Sequence, residues 1–116
     1  MGATFVQAGE YIDYIPDADV PVGTVIVQNK LVAVAHRELK AGELGSLAVG
    51  GVFDFPKEVG FGGDGFGFGA KAYWNPVDNV ARWDMGAPNV TLGKVVRAAS
   101  DADATVRILL VQAFDA

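Results

Sequence analysis

Cysteine is absent from the 116-residue chain, and histidine occurs once, at His36. The first absence excludes disulfides, thiolate zinc sites and Cys nucleophiles. The second excludes multi-histidine metal clusters and most His-based catalytic pairs. Basic residues are few: nine Lys and Arg stand against fourteen Asp and Glu, for a formal net charge of −5, and none precedes Lys30. Affinity for a phosphate backbone needs clustered Lys and Arg that release counterions, so nucleic acid is not an expected partner. Long apolar runs are missing as well. The stretches 31–35 and 108–111 fall far short of the roughly 20 residues that span a bilayer, so no membrane is expected. Residues 1–15 hold no basic region followed by an apolar core, which makes synthesis in a cytoplasmic compartment the expectation.

What is present is a chain of 51% hydrophobic residues broken by 15 glycines and 5 prolines. No window shows the i, i+3, i+4, i+7 apolar face of a helix, whereas short β-branched and aromatic runs recur between Gly, Pro, Asn and Asp. The expected strands are 4–7, 11–15, 24–28, 31–36, 47–49, 52–55, 72–74, 79–83, 91–96 and 105–111. Gln28-Asn29-Lys30 is expected to close a tight hairpin, with Asn29 at positive φ. Asn75-Pro76-Val77-Asp78-Asn79 is expected to form a second turn. A faint echo links Gly23 and the runs after it to Gly69 and the runs after it, which suggests repeated hairpins. The fold class is therefore all-β, a small single domain over residues 1–116 of short kinked strands. A β-clip, a β-tulip-like arrangement or a small barrel suits such strands better than a flat sandwich.

The motifs that hint at chemistry are weak. Gly60-Phe61-Gly62-Gly63-Asp64-Gly65 has the G-x-G-x-x-G spacing, but no helix follows to hold a pyrophosphate. Asp101-Ala102-Asp103 lacks the Gly and distal Glu of a calcium loop and reads as a polar turn. Neither serine, Ser46 nor Ser100, sits in a nucleophile elbow. The residues thus carry no recognisable catalytic, cofactor or metal equipment, and binding or assembly is the expected class.

Eight of the chain's twelve aromatics lie between Phe53 and Trp83, and the segment 60–69 places six glycines among three Phe residues. Rings in so glycine-rich a loop should leave water, either over the chain's own core or against a second subunit. At least one of Phe61, Phe66 and Phe68 is expected to pack across a subunit boundary.

Phe5-Val6-Gln7, Ile12-Asp13-Tyr14, Leu31-Val32-Ala33-Val34-Ala35, Ala41-Gly42-Glu43-Leu44-Gly45, Gly51-Val52-Phe53-Asp54-Phe55-Pro56-Lys57, Tyr73-Trp74 and Ala102-Asp103-Ala104-Thr105-Val106-Arg107 form an ordered set spanning nearly the whole chain. In that order and spacing the chain resembles the tailed-bacteriophage capsid cement or head decoration proteins. The segment 60–68, Asn75 and the tail 112–116 depart from the family's pattern. The resemblance implies a structural virion protein, not an enzyme, made in the host cytoplasm and added to the outer face of the head. Its partner would be the major capsid protein, whose contacts it reinforces, and it would act as a homotrimer without a cofactor. On that reading residues 1–14 form a capsid-contacting arm, with Phe5, Val6, Tyr11 and Ile12 supplying apolar contact and Glu10 and Asp13 an acidic register. The competing reading of Ala3 to Tyr14 is an edge strand of the domain's own sheet. The Gly-x-Val/Ile-Val hairpin pattern is also similar to β-clip modules related to antifreeze-like domains, which would make this a small-molecule or sugar-acid binding module.

Overall fold

A computed structural model describes residues 2–4, 10–59, 66–86 and 88–112. Nine strands follow one another along them: β1 (Tyr11–Tyr14), β2 (Val25–Gln28), β3 (Leu31–Val34), β4 (Gly45–Ala48), β5 (Gly51–Pro56), β6 (Lys71–Asn75), β7 (Val80–Arg82), β8 (Val90–Arg97) and β9 (Thr105–Leu110). Among the described residues there is no helix. The all-β expectation holds, and every sequence-predicted strand after 4–7, which lies outside the described residues at 5–7, has a counterpart.

The strands form two antiparallel sheets, one ordered β1-β4-β3-β2 and the other β5-β9-β8-β6-β7. A parallel bridge from Lys57 to Ala81 brings β7 beside the chain that continues β5, so the larger sheet curls back on itself without closing into a barrel.

Local chemistry accounts for the turns. Gln28 pairs with Leu31, leaving Asn29 and Lys30 as a two-residue loop in which Asn29 takes φ 58°, a conformation Asn tolerates. At the other predicted turn the Asn75 side-chain carbonyl accepts hydrogen bonds from the Val77 and Asp78 amides at 2.9 and 2.8 Å, and Asn79 closes the turn at φ 57°. The two echoing segments are both hairpins, β2–β3 and β6–β7, in different sheets.

The apolar run 31–35 is continuous because β3 is covered on both faces. Val32 and Val34 enter the main core with Phe55, Trp74, Leu92, Val95, Val106, Ile108 and Leu110, so this core lies between the two sheets. Ala33 and Ala35 face the opposite way and pack with Leu39 and Leu47 against Ile12, Tyr14, Val20 and Ile26. The connections on either side of the β2–β3 hairpin cover that outer face, tied by the Val20 amide to the Leu39 carbonyl at 2.8 Å and the reverse bond at 2.9 Å. The alternation of β9 is complete: Val106, Ile108 and Leu110 are buried, while Thr105, Arg107 and Leu109 are exposed.

One side chain joins the sheets where strand pairing runs out. β4 pairs with β3 only at Val34, so Val32 lacks a strand partner on that side. The Gln112 amide takes the place of one, accepting from the Val32 N–H at 3.1 Å and donating to the Val32 and Val49 carbonyls at 2.7 and 3.0 Å. Gln112→Ala leaves these half-buried backbone groups without that partner. We expect it to cost about 2 kcal/mol, read as a lower urea midpoint at unchanged slope.

Candidate interaction surfaces

The segment preceding and including β1 divides. From Tyr11 onward it is the edge strand of the domain's own sheet, paired with β4 through Ile12↔Leu47 and Tyr14↔Gly45. Over 11–14 this matches the competing edge-strand reading, and Ile12 and Tyr14 pack into the chain's second core cluster. Tyr11 stays half-exposed and rests on His36, with ring centroids 4.8 Å apart. Glu10 and Asp13 are exposed, and Phe5 and Val6 lie outside the described residues.

His36 Nε2 and Ser46 Oγ are 3.1 Å apart, the pairing that a serine nucleophile and its base require. Among the described residues no carboxylate is hydrogen-bonded to His36, so nothing there orients the ring as a triad does. The pair reads as a tie between the end of β3 and β4. Among the described residues no three His, Asp or Glu side chains gather as a metal site. The Ser100 amide donates to the Asp103 carboxylate at 2.8 Å, making 100–103 the polar turn that feeds β9.

Of the three loop rings, Phe66 lies in the chain's own core, which leaves the expected subunit contact to Phe61 or Phe68. Only 3% of Phe66 is exposed, and it packs in the main core while its backbone bridges Ala99. The physical reason is the apolar core that receives the ring; Lys57 Nζ lies 5.5 Å from the ring centroid and donates to the Glu58 and Asp101 carbonyls at 2.8 and 3.3 Å. Phe68 stands 78% exposed, and Phe61 lies outside the described residues, as does the G-x-G-x-x-G segment 60–65.

Beside Lys57, Glu58 is buried and its Oε2 lies 3.4 Å from Arg82 Nε, while its Oε1 has no hydrogen-bond partner. Burial pushes the Glu58 carboxyl above the ordinary value, against the pull of Arg82. The native state therefore takes up this proton before the unfolded chain does. Glu58 adds stability as pH falls through its raised folded pKa, and the gain is complete below the usual 4.5. Glu58→Gln should remove that component, so its urea midpoint changes less than the wild type's as pH falls from neutral to the usual 4.5.

The outward face of the larger sheet carries the opposite sign. Arg107 Nε and Nη2 donate to the two oxygens of Asp54 at 2.9 and 3.2 Å, and this bonding, with the charges of Arg107 and Arg97, holds Asp54 below the usual carboxylate value. Arg97, Asp103 and Thr105 line the same shallow groove, of about 280 Å³. Neighbouring exposed positions are Lys71, Lys94, Val52 and Leu109.

Two open antiparallel β-sheets with exposed charged and apolar positions define a class, a small all-β domain. The comparisons make it specific. The chain belongs to the phage cement proteins, whose family model matches residues 6–110. No curated protein matches the chain, and no solved structure does either. Membership supports a structural cementing role and association with the phage capsid, rather than the small-molecule reading.

Proposed function

We propose that this cement protein binds the outer surface of a phage head and reinforces contacts between major capsid protein subunits, as a homotrimer. The observation that carries the reading is the family match over 6–110. The exposed Phe68 and half-exposed Trp83 and Met85 supply apolar surface of the kind that contacts use. Weak individual contacts suffice, because a trimer bridging several shell subunits converts later contacts into intramolecular ones. Attachment involves the residues ahead of β1, where Phe5 and Val6 offer apolar side chains.

The test is co-sedimentation of the purified protein with heads of its phage, expanded and unexpanded. Binding to expanded heads is expected, and absence of binding to either overturns the proposal. Deleting residues 2–8 should abolish head binding and change stability by less than about 0.5 kcal/mol, as surface changes do. A large loss of stability would instead make those residues part of the fold.

A further inference from the structure

We infer that copies of this chain join head to tail, the outward face of the larger sheet of one meeting the acidic β1 edge of the next. The inference rests on the self-association proposed above and names the surfaces that make it.

The outward face is built against itself. Lys71 lies directly opposite Lys94 on β6 and β8, and Arg97 opposite Arg107 on β8 and β9. Like charges facing each other across strands destabilise a sheet that ends in water. Four of the chain's nine basic residues thus share one face of a protein whose net charge is −5. The bidentate carboxylate there, Asp54, is already engaged by Arg107, and among the described residues Lys71 and Lys94 carry no ion pair. Beside the cations, toward the β5 edge, lies an apolar strip. Val52 is paired with Leu109, and Leu109 in turn with Lys94; Val52 and Leu109 are 53% and 39% exposed, and Val111 beyond them is 44% exposed. Apolar area bordered by charge is material for a contact surface.

The complementary charge is on the same chain. Glu10, Asp13 and Asp17 are exposed just before, on and just after β1, and among the described residues none of them has an ion pair. Asp19 and Glu38, by contrast, both lie within 4 Å of Lys40. Exposed Tyr11 and Ile15 stand among the three carboxylates. The two charged sets cannot meet within one copy. The inward faces of the sheets enclose the main core, so the outward face of the larger sheet looks away from β1. They meet only between copies, and because they are different surfaces the contact is heterologous, closing into a ring or extending into a row. Glu10 and Asp13, placed by the sequence with shell attachment, belong on this reading to the neighbouring copy.

Sedimentation velocity of the full chain tests this with a charge swap. The wild type should associate at about 0.05 M salt and dissociate near 1 M, where screening acts within about 3 Å. Lys71→Glu with Lys94→Glu, and separately Asp13→Lys with Asp17→Lys, should each weaken association about tenfold or more. The quadruple variant, with both faces reversed, should recover it, a rescue that misfolding cannot mimic. If the double variants associate like the wild type, the faces are wrong while self-association stands. If the wild type stays a monomer and occurs singly on heads, both fail. A monomeric wild type whose Lys71→Glu, Lys94→Glu variant no longer binds heads would assign the face to the shell and overturn the contact between copies.

Discussion

Gly93→Ala is expected to unfold the larger sheet, lowering stability by about 3 kcal/mol or more and the thermal midpoint by roughly 12 °C. Gly93 sits within β8, between Ala72 of β6 and Leu110 of β9. A Cβ there would stand 1.9 Å from the Leu109 carbonyl oxygen, 2.9 Å from its carbon and 3.0 Å from the Val111 nitrogen. These are backbone atoms in a central strand pair, so no side chain can turn aside to make room. The pairing register of β6 and β8 shifts next to this residue, at Ala72/Tyr73, where the strands accommodate the close approach. Gly50→Ala is the control, since its Cβ would meet nothing within 4 Å, and its effect should stay within about 0.5 kcal/mol. Thermal melts of the two variants measure the difference. A Gly93→Ala variant that melts with the wild type would show that β8 and β9 separate at no cost.

Phe55→Ala should come next, at about 3–5 kcal/mol by urea denaturation, a large share of the roughly 5–15 kcal/mol that holds a domain together. Phe55 is 2% exposed in β5, with its ring 6.0 Å from both Phe53 and Trp74. It therefore joins an outer strand of the larger sheet to β6 across the interior, beneath Val32 and Val34 of the other sheet. Truncation leaves a void that neighbours from both sheets line and that neither can fill alone. A loss under about 1 kcal/mol would mean that the core collapses around the gap.

What the sequence revealed follows how local each cause is. Asn29 and the Asn75–Asn79 turn were legible because the residue that bends the chain also bonds or relaxes it there. The strands were legible from their composition, and the double burial of β3 left its mark as an unbroken apolar run. Partners distant in sequence were not legible. Nothing local in Gly51–Pro56 says that it pairs with Thr105–Leu110, and nothing local in Lys71 or Lys94 says that they face each other. The burial of Phe66 was not legible because its glycine-rich setting advertises a surface loop, whereas the core that receives it is built from strands distant in the chain. The role of Gln112 was not legible, since its three hydrogen bonds go to backbone atoms, which carry no residue-specific signature.

That glutamine also decides how the molecule carries tension. On the reinforcing role proposed above, packaged DNA that presses the shell outward would load the molecule in tension. Within each sheet neighbouring strands resist as ladders of backbone bonds sheared together. Between the sheets the polar link at the end of β9 is one amide side chain on a flexible stem, bonded to Val32 and Val49. It shares the load with the apolar packing of β3 on β8, which slides more readily than a ladder ruptures. On that role the joint between the sheets, made by this packing, the Gln112 amide and the short connection 49–50, is expected to yield before the strand ladders do.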